Sequence, residues 1–284
     1  MSETGLAKTV ERFAGMTQGW DDETLTRPWA WRTYDEGLRH AFFRTYEELC
    51  ELAATTAAAR ATQGPAISTA QRLLGQHHRA YRDLKAVLLG TDGLLDEVPA
   101  EGEWPLRKVL EHIIAADHTF FAVTRHALER GRRGKAPRAI TKEELVALIG
   151  TYAELEKAME SGSLGEILGW NDTRHRRILD DLANISDGEL GTPSLWWEEE
   201  EMPLQFRLLR FDSHLRQHTI QAEKTLDAVG HRPTEVRRLL RNIYNALAAV
   251  EGAALGAEDL GAEQIRAVAA GIAARLDDIV EQSS

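Results

Sequence analysis

The chain has 284 residues, enough for one large domain or for a domain with attached helices, and a full core can be buried. Its 34 basic against 45 acidic side chains give a net charge of −11, which sets nucleic acid and anionic membrane surfaces aside as partners. No signal-peptide block opens the chain, no run approaches the ~18 apolar residues of a membrane span, and the lone Cys50 excludes an intrachain disulfide. A reduced, cytoplasmic setting is the expectation.

Helical periodicity dominates, so the fold class is all-α. A helix is predicted from about Tyr34 to Ala61 on the stripe Leu38, Phe42, Leu49, Ala53, with Cys50 beside it as a small packed hydrophobe; Gln63-Gly64-Pro65 ends it. Ser68 caps a second helix near Ala70 to Leu89, stopped by Gly90. His77 and His78 are adjacent there in a polar setting, so one must face away, and both are assigned to the helix surface. The turn-rich stretch Thr91 to Glu103 leads to Trp104 and Pro105, which start a third helix running to about Arg130. The cluster Arg130, Arg132, Arg133, Lys135 and Arg138 reads as a solvated loop.

Thr141 with Glu144, and Ser163 with Glu166, have capping-box spacing and open helices over Lys142 to Glu160 and Leu164 to Ile185. Ser186 to Pro203 is a loop holding Trp196, Trp197 and four consecutive glutamates, Glu198 to Glu201, read as solvated. A further helix spans Met202 to Gly230, and Pro233 to Gly252 with Ala262 to Gln282 form a closing hairpin.

The Met202 to Gly230 helix carries the chemistry. Its buried stripe is Leu204, Leu208, Phe211, Leu215, His218, Ala222, Leu226 and Val229, so His218 stands where a core residue belongs. His214 is one turn earlier on the same side, and two neutral imidazoles so placed chelate a divalent cation; imidazole suits zinc, nickel, copper and iron. Catalytic metals usually take three protein ligands and keep open positions. Among the remaining histidines His112 is favoured, because it borders the stripe Val109, Ile113, Ala116, Phe120, Val123. His118, six residues on, is about 240° further round the helix and cannot join it. Asp212 is a candidate acceptor for a ring N–H. Trp170, Arg174 and Trp197 are candidates for a substrate or thiol pocket, with a surface helix arginine the more ordinary reading of Arg174. The lack of Glu-x-x-His pairs removes a carboxylate-bridged di-iron bundle, and there is no HExxH helix, P-loop or GxSxG elbow.

The segment Glu103-Trp104-Pro105-Leu106-Arg107-Lys108-Val109-Leu110-Glu111-His112-Ile113 resembles the signature that opens the second helix of the DinB/YfiT-like superfamily. His214-Leu215-Arg216-Gln217-His218 resembles the HxxxH of its last bundle helix, and the Asp187-Gly188-Glu189-Leu190 turn also fits. The resemblance covers about Ser68 to Gly230. It implies a four-helix bundle with one divalent metal, zinc or nickel, held by His112, His214 and His218. The bundle is expected over residues 66–231; residues 1–65 and 232–284 lie outside the simplest form of the family and are read as helical additions, the C-terminal hairpin packing on the bundle. The chemistry implied is S-transferase-like: a low-molecular-weight thiol, or water, is activated for attack on a small electrophilic substrate. A homodimer is an accessible state, and a non-enzymatic metal sensor or scaffold is the alternative.

Overall fold

A computed structural model of the chain describes residues 5–150, 153–257 and 259–283. The fold is all-α. Ten helices are present among the described residues: α1 (Gly5–Thr17), α2 (Leu38–Gln63), α3 (Thr69–Val87), α4 (Leu106–Arg132), α5 (Lys142–Ile149), α6 (Ala153–Ser161), α7 (Leu164–Leu182), α8 (Leu204–Ala228), α9 (Glu235–Ala254) and α10 (Ala262–Ser283). Sheet is confined there to two antiparallel pairs, β1 (Ala30–Trp31) with β2 (Tyr34–Asp35) and β3 (Pro193–Ser194) with β4 (Met202–Pro203). None of the described helices is long and apolar enough to cross a membrane.

The chain divides into two compact units. The first comprises Met1–Ile67, Tyr81–Gly90 and Arg232–Ser284. Its core is made by α1, α2, α9 and α10, with Leu6, Val10, Phe13, Phe42, Leu49, Ile243, Leu247, Ile272 and Ile279 in one apolar cluster. Helix α1 has no counterpart in the sequence reading. Its Leu6, Val10, Phe13 and Ala14 nevertheless follow a helical period and are buried.

The second unit comprises Ser68–Ala80 and Thr91–His231 and holds the bundle helices. Local chemistry sets its boundaries. Ser68 Oγ accepts from the N–H of Gln71 while Gln71 Oε1 accepts from the N–H of Ser68, each at 3.1 Å. The boxes at Thr141/Glu144 and Ser163/Glu166 are both formed, so two otherwise unpaired amides are satisfied at each start. The single helix expected over Lys142 to Glu160 is instead α5 and α6. Gly150 lies at φ +75°, a left-handed conformation that ends α5, and its N–H reaches the Val146 carbonyl at 2.8 Å.

Candidate metal centre

Helix α8 buries the face that its sequence period predicted: Leu204, Leu208, Phe211, Leu215, Ala222 and Leu226, with His214 and His218 among them. Helix α4 lies against it and brings His112, half-buried, to the same place. One ring nitrogen from each of the three imidazoles lies within 4.8 Å of the others. His112 Nε2 is 3.2 Å from His214 Nε2. The ring centres are 5.1 Å apart for His112 and His214, 4.4 Å for His112 and His218, and 4.3 Å for His214 and His218.

Electrostatics suit a cation. Burial first, then His218 and His112, drives the His214 pKa down to about 3. Burial, His218 and Lys108 also lower that of His112. Both rings are therefore neutral near pH 7 and offer lone pairs. His218 is oriented from outside the cluster, since its Nδ1 lies 2.7 Å from Gln221 Oε1. An amide oxygen only accepts, so Nδ1 carries the proton and Nε2 is left bare. His214 Nδ1 is buried with no hydrogen-bond partner among the described residues, so that ring has no such tether.

The donor set fits a divalent ion. Two nitrogens each ~2.0–2.1 Å from one tetrahedral zinc lie about 3.3–3.4 Å apart, close to the separation seen between His112 and His214. Two aromatic rings flank the cluster: Trp104 meets His112 edge-on at 5.5 Å, and Phe120 meets His214 edge-on at 5.3 Å.

The other candidates fall elsewhere. Arg174 stacks its guanidinium on Trp170, 3.5 Å from the ring centre, and bonds to His118. Trp170 and His118 are themselves 5.0 Å apart. Trp170 and Arg174 thus gather at the histidine that the helical wheel separates from His112. Trp197 is 67 % exposed and abuts Trp196, which packs on Phe120. Asp212 accepts from Arg216 at 2.8 Å, one turn along α8, and Gln221 is the ring acceptor instead. The sequence does contain that signal: Gln221 stands three residues after His218, on the same helix face.

Two sequence assignments are overturned. Glu198 is not merely solvated, because its carboxylate receives both terminal nitrogens of the buried Arg207 at 2.5 and 2.9 Å. Its clue was an arginine between Leu204 and Phe211 on a buried stripe. His77 and His78 are both buried rather than on the surface. His78 Nδ1 is 2.9 Å from His175 Nε2, and His77 lies 5.2 Å from the Phe211 ring with Nε2 3.8 Å from Asp117 Oδ2. Adjacent residues can both be buried when neighbours cover two sides of a helix, which a periodicity argument with one apolar face does not anticipate.

No curated protein and no solved structure matches the chain. A family model for the DinB superfamily matches residues 73–222, more than half of the chain, and includes all three clustered histidines. By that match the chain belongs to the DinB superfamily.

Proposed function

We propose that the chain is a divalent-metal-dependent enzyme that activates a low-molecular-weight thiol, or water, for attack on a small electrophilic substrate, in the manner of an S-transferase. The observation that carries this reading is the convergence of His112, His214 and His218, two of them held neutral by burial. They would hold one cation, with zinc or nickel the best match to an all-imidazole set. Lewis acidity is what such an ion supplies: it makes a thiol or water nucleophilic near neutral pH.

The protein's own part is positional. Gln221 holds the proton on His218 Nδ1 and so leaves Nε2 free to act as a ligand. Trp104 and Phe120 pack edge-on against His112 and His214 and support the placement of their rings. Burial keeps protons off His112 and His214, so the ligand lone pairs stay available. With the acidic composition, a small-molecule substrate in a cytoplasmic setting goes with this reading, and nucleic acid or membrane does not.

Two measurements test it. Elemental analysis of untagged protein is expected to find one equivalent of metal in the wild type and none in His112→Ala. A panel of thiols with a chromogenic electrophile, with and without zinc or nickel, is expected to show turnover that His218→Ala abolishes. Tight metal without turnover, but with a metal-dependent change of oligomeric state, would make the protein a sensor or scaffold instead.

A further inference from the structure

The loop between β3 and β4 is built more rigidly than a connection in solvent needs. Arg207 sits on α8 seven residues before His214 and is 1 % exposed. Besides its two bonds to Glu198, its Nε donates to Ser194 Oγ at 2.8 Å, and that hydroxyl donates to the Met202 carbonyl at 2.6 Å. Glu199 is held at φ +61°, a backbone state that residues other than glycine rarely keep unless their surroundings enforce it. One guanidinium thus ties the start, the tip and the end of the loop together.

A buried ion pair is a poor stabiliser, because desolvation offsets most of its attraction and apolar replacements often do as well. Positioning accounts for it better. The loop it holds carries Trp196 and Trp197. Trp196 meets Phe120 edge-on at 5.7 Å, Phe120 meets His214 at 5.3 Å, and Trp197 meets Trp196 at 6.1 Å. A continuous series of rings therefore runs from His214 to an indole that stands mostly in solvent.

We infer that this loop backs Phe120 beside the metal centre, that Arg207 and Glu198 are its positioning residues, and that Trp197, at the outer end of the ring series, recognises a planar aromatic body on the electrophilic substrate. The inference rests on the function proposed above. An exposed indole on a rigid loop offers both its face and its edge to an electron-poor ring. Arg207 touches none of the three histidines in this arrangement and acts through Glu198 and the loop.

Chlorodinitrobenzene without thiol is a suitable probe, because its binding is read from the midpoint of tryptophan quenching and needs no turnover. The full-length wild type, Trp197→Ala, Trp197→Phe and Glu198→Gln are compared, with metal content measured on each. The wild type is expected to bind. Trp197→Ala and Glu198→Gln should keep the wild-type metal content and shift the midpoint about five- to tenfold upward, while Trp197→Phe stays within about twofold. A wild type that does not bind, or midpoints unchanged in Trp197→Ala and Glu198→Gln, overturns the inference. So does loss of metal in Glu198→Gln, which would make the ion pair a support of the histidines. Variant midpoints shifted as expected, with a wild type that holds no metal, would remove the proposed function and leave Trp197 as an aromatic-binding residue.

Discussion

His218 and Gln221 stand three residues apart on α8, and the 2.7 Å between the ring Nδ1 and the amide Oε1 keeps the proton on Nδ1 and leaves Nε2 free to act as a ligand. Partners of this kind are worth roughly 10- to 100-fold in metal affinity where they have been removed. Gln221→Leu is expected to weaken zinc binding by that factor, measured by competition with a chromophoric chelator, while Gln221→Glu, which keeps an acceptor, stays near the wild type. A Gln221→Leu protein within twofold of the wild type would show that the tautomer is set elsewhere.

Asp117 makes the stability of the bundle fall as pH rises. Burial pushes its carboxyl well above the ordinary value of 3.8, and its Oδ1 has no hydrogen-bond partner among the described residues. Above that ordinary value the unfolded chain loses the proton that the folded protein keeps, so stability falls as pH rises toward the folded pKa. Asp117→Asn should lack this slope and be the more stable protein at pH 8. Urea unfolding of both proteins at pH 5 and pH 8 decides it: the depressed histidines act on both alike, so Asp117→Asn is expected to gain stability relative to the wild type between the two pH values, and an unchanged difference would count against the assignment.

His77 acts in the opposite sense. Full burial, reinforced by His78, holds its pKa down to about 3 against an ordinary 6.5. Between those values the unfolded chain carries a proton that the folded protein refuses, so the stability present above pH 6.5 is lost as pH falls toward 3. His77→Leu is expected to reduce the acid-side slope by about 1.4 kcal/mol per pH unit. The slopes of His77 and Asp117 oppose each other in mild acid, and each is therefore read in its own single variant. Acid titrations of wild type and His77→Leu that superimpose would rule the assignment out.

In the first unit Arg82 is a buried charge with two carboxylates. It reaches both oxygens of Glu251 at 2.9 and 2.7 Å and Glu11 at 2.9 Å, and Lys85 reaches Glu11 at 2.7 Å. Removing one member of such a set leaves its partner charged in a dry site. Arg82→Met is expected to destabilise by about 3–5 kcal/mol, whereas Arg82→Met with Glu251→Leu recovers at least half of the loss in denaturant titrations. A double variant no more stable than the single one would contradict this account.

The parts of the molecule legible in the sequence are those written in local chemistry. His214 and His218 declared themselves by falling on one helical face, and the boxes at Thr141 and Ser163 by a three-residue spacing; all of these are properties of a single helix. Gly150 did not declare itself as a break, because the helical pattern on either side of it ran on as if through one helix. What required the third dimension were the partners. Nothing near Glu198 in the sequence says that its counter-charge is Arg207 on the next helix, and nothing near His78 says that it meets His175. Polar residues buried by remote neighbours look like surface residues until the neighbours are known.

The 102 residues separating His112 from His214 have a mechanical meaning. A cation shared by these two rings is also a cross-link, closing most of the second unit into a loop. Chain-entropy reasoning gives a staple over ~100 residues about 4.7 kcal/mol at most, far more than the same pair of ligands could contribute from one helix. Ligand binding to the folded form alone adds stability with the logarithm of free ion concentration. The melting temperature of this bundle should therefore climb with added metal and drop with a chelator, so that the protein's persistence follows the supply of the ion.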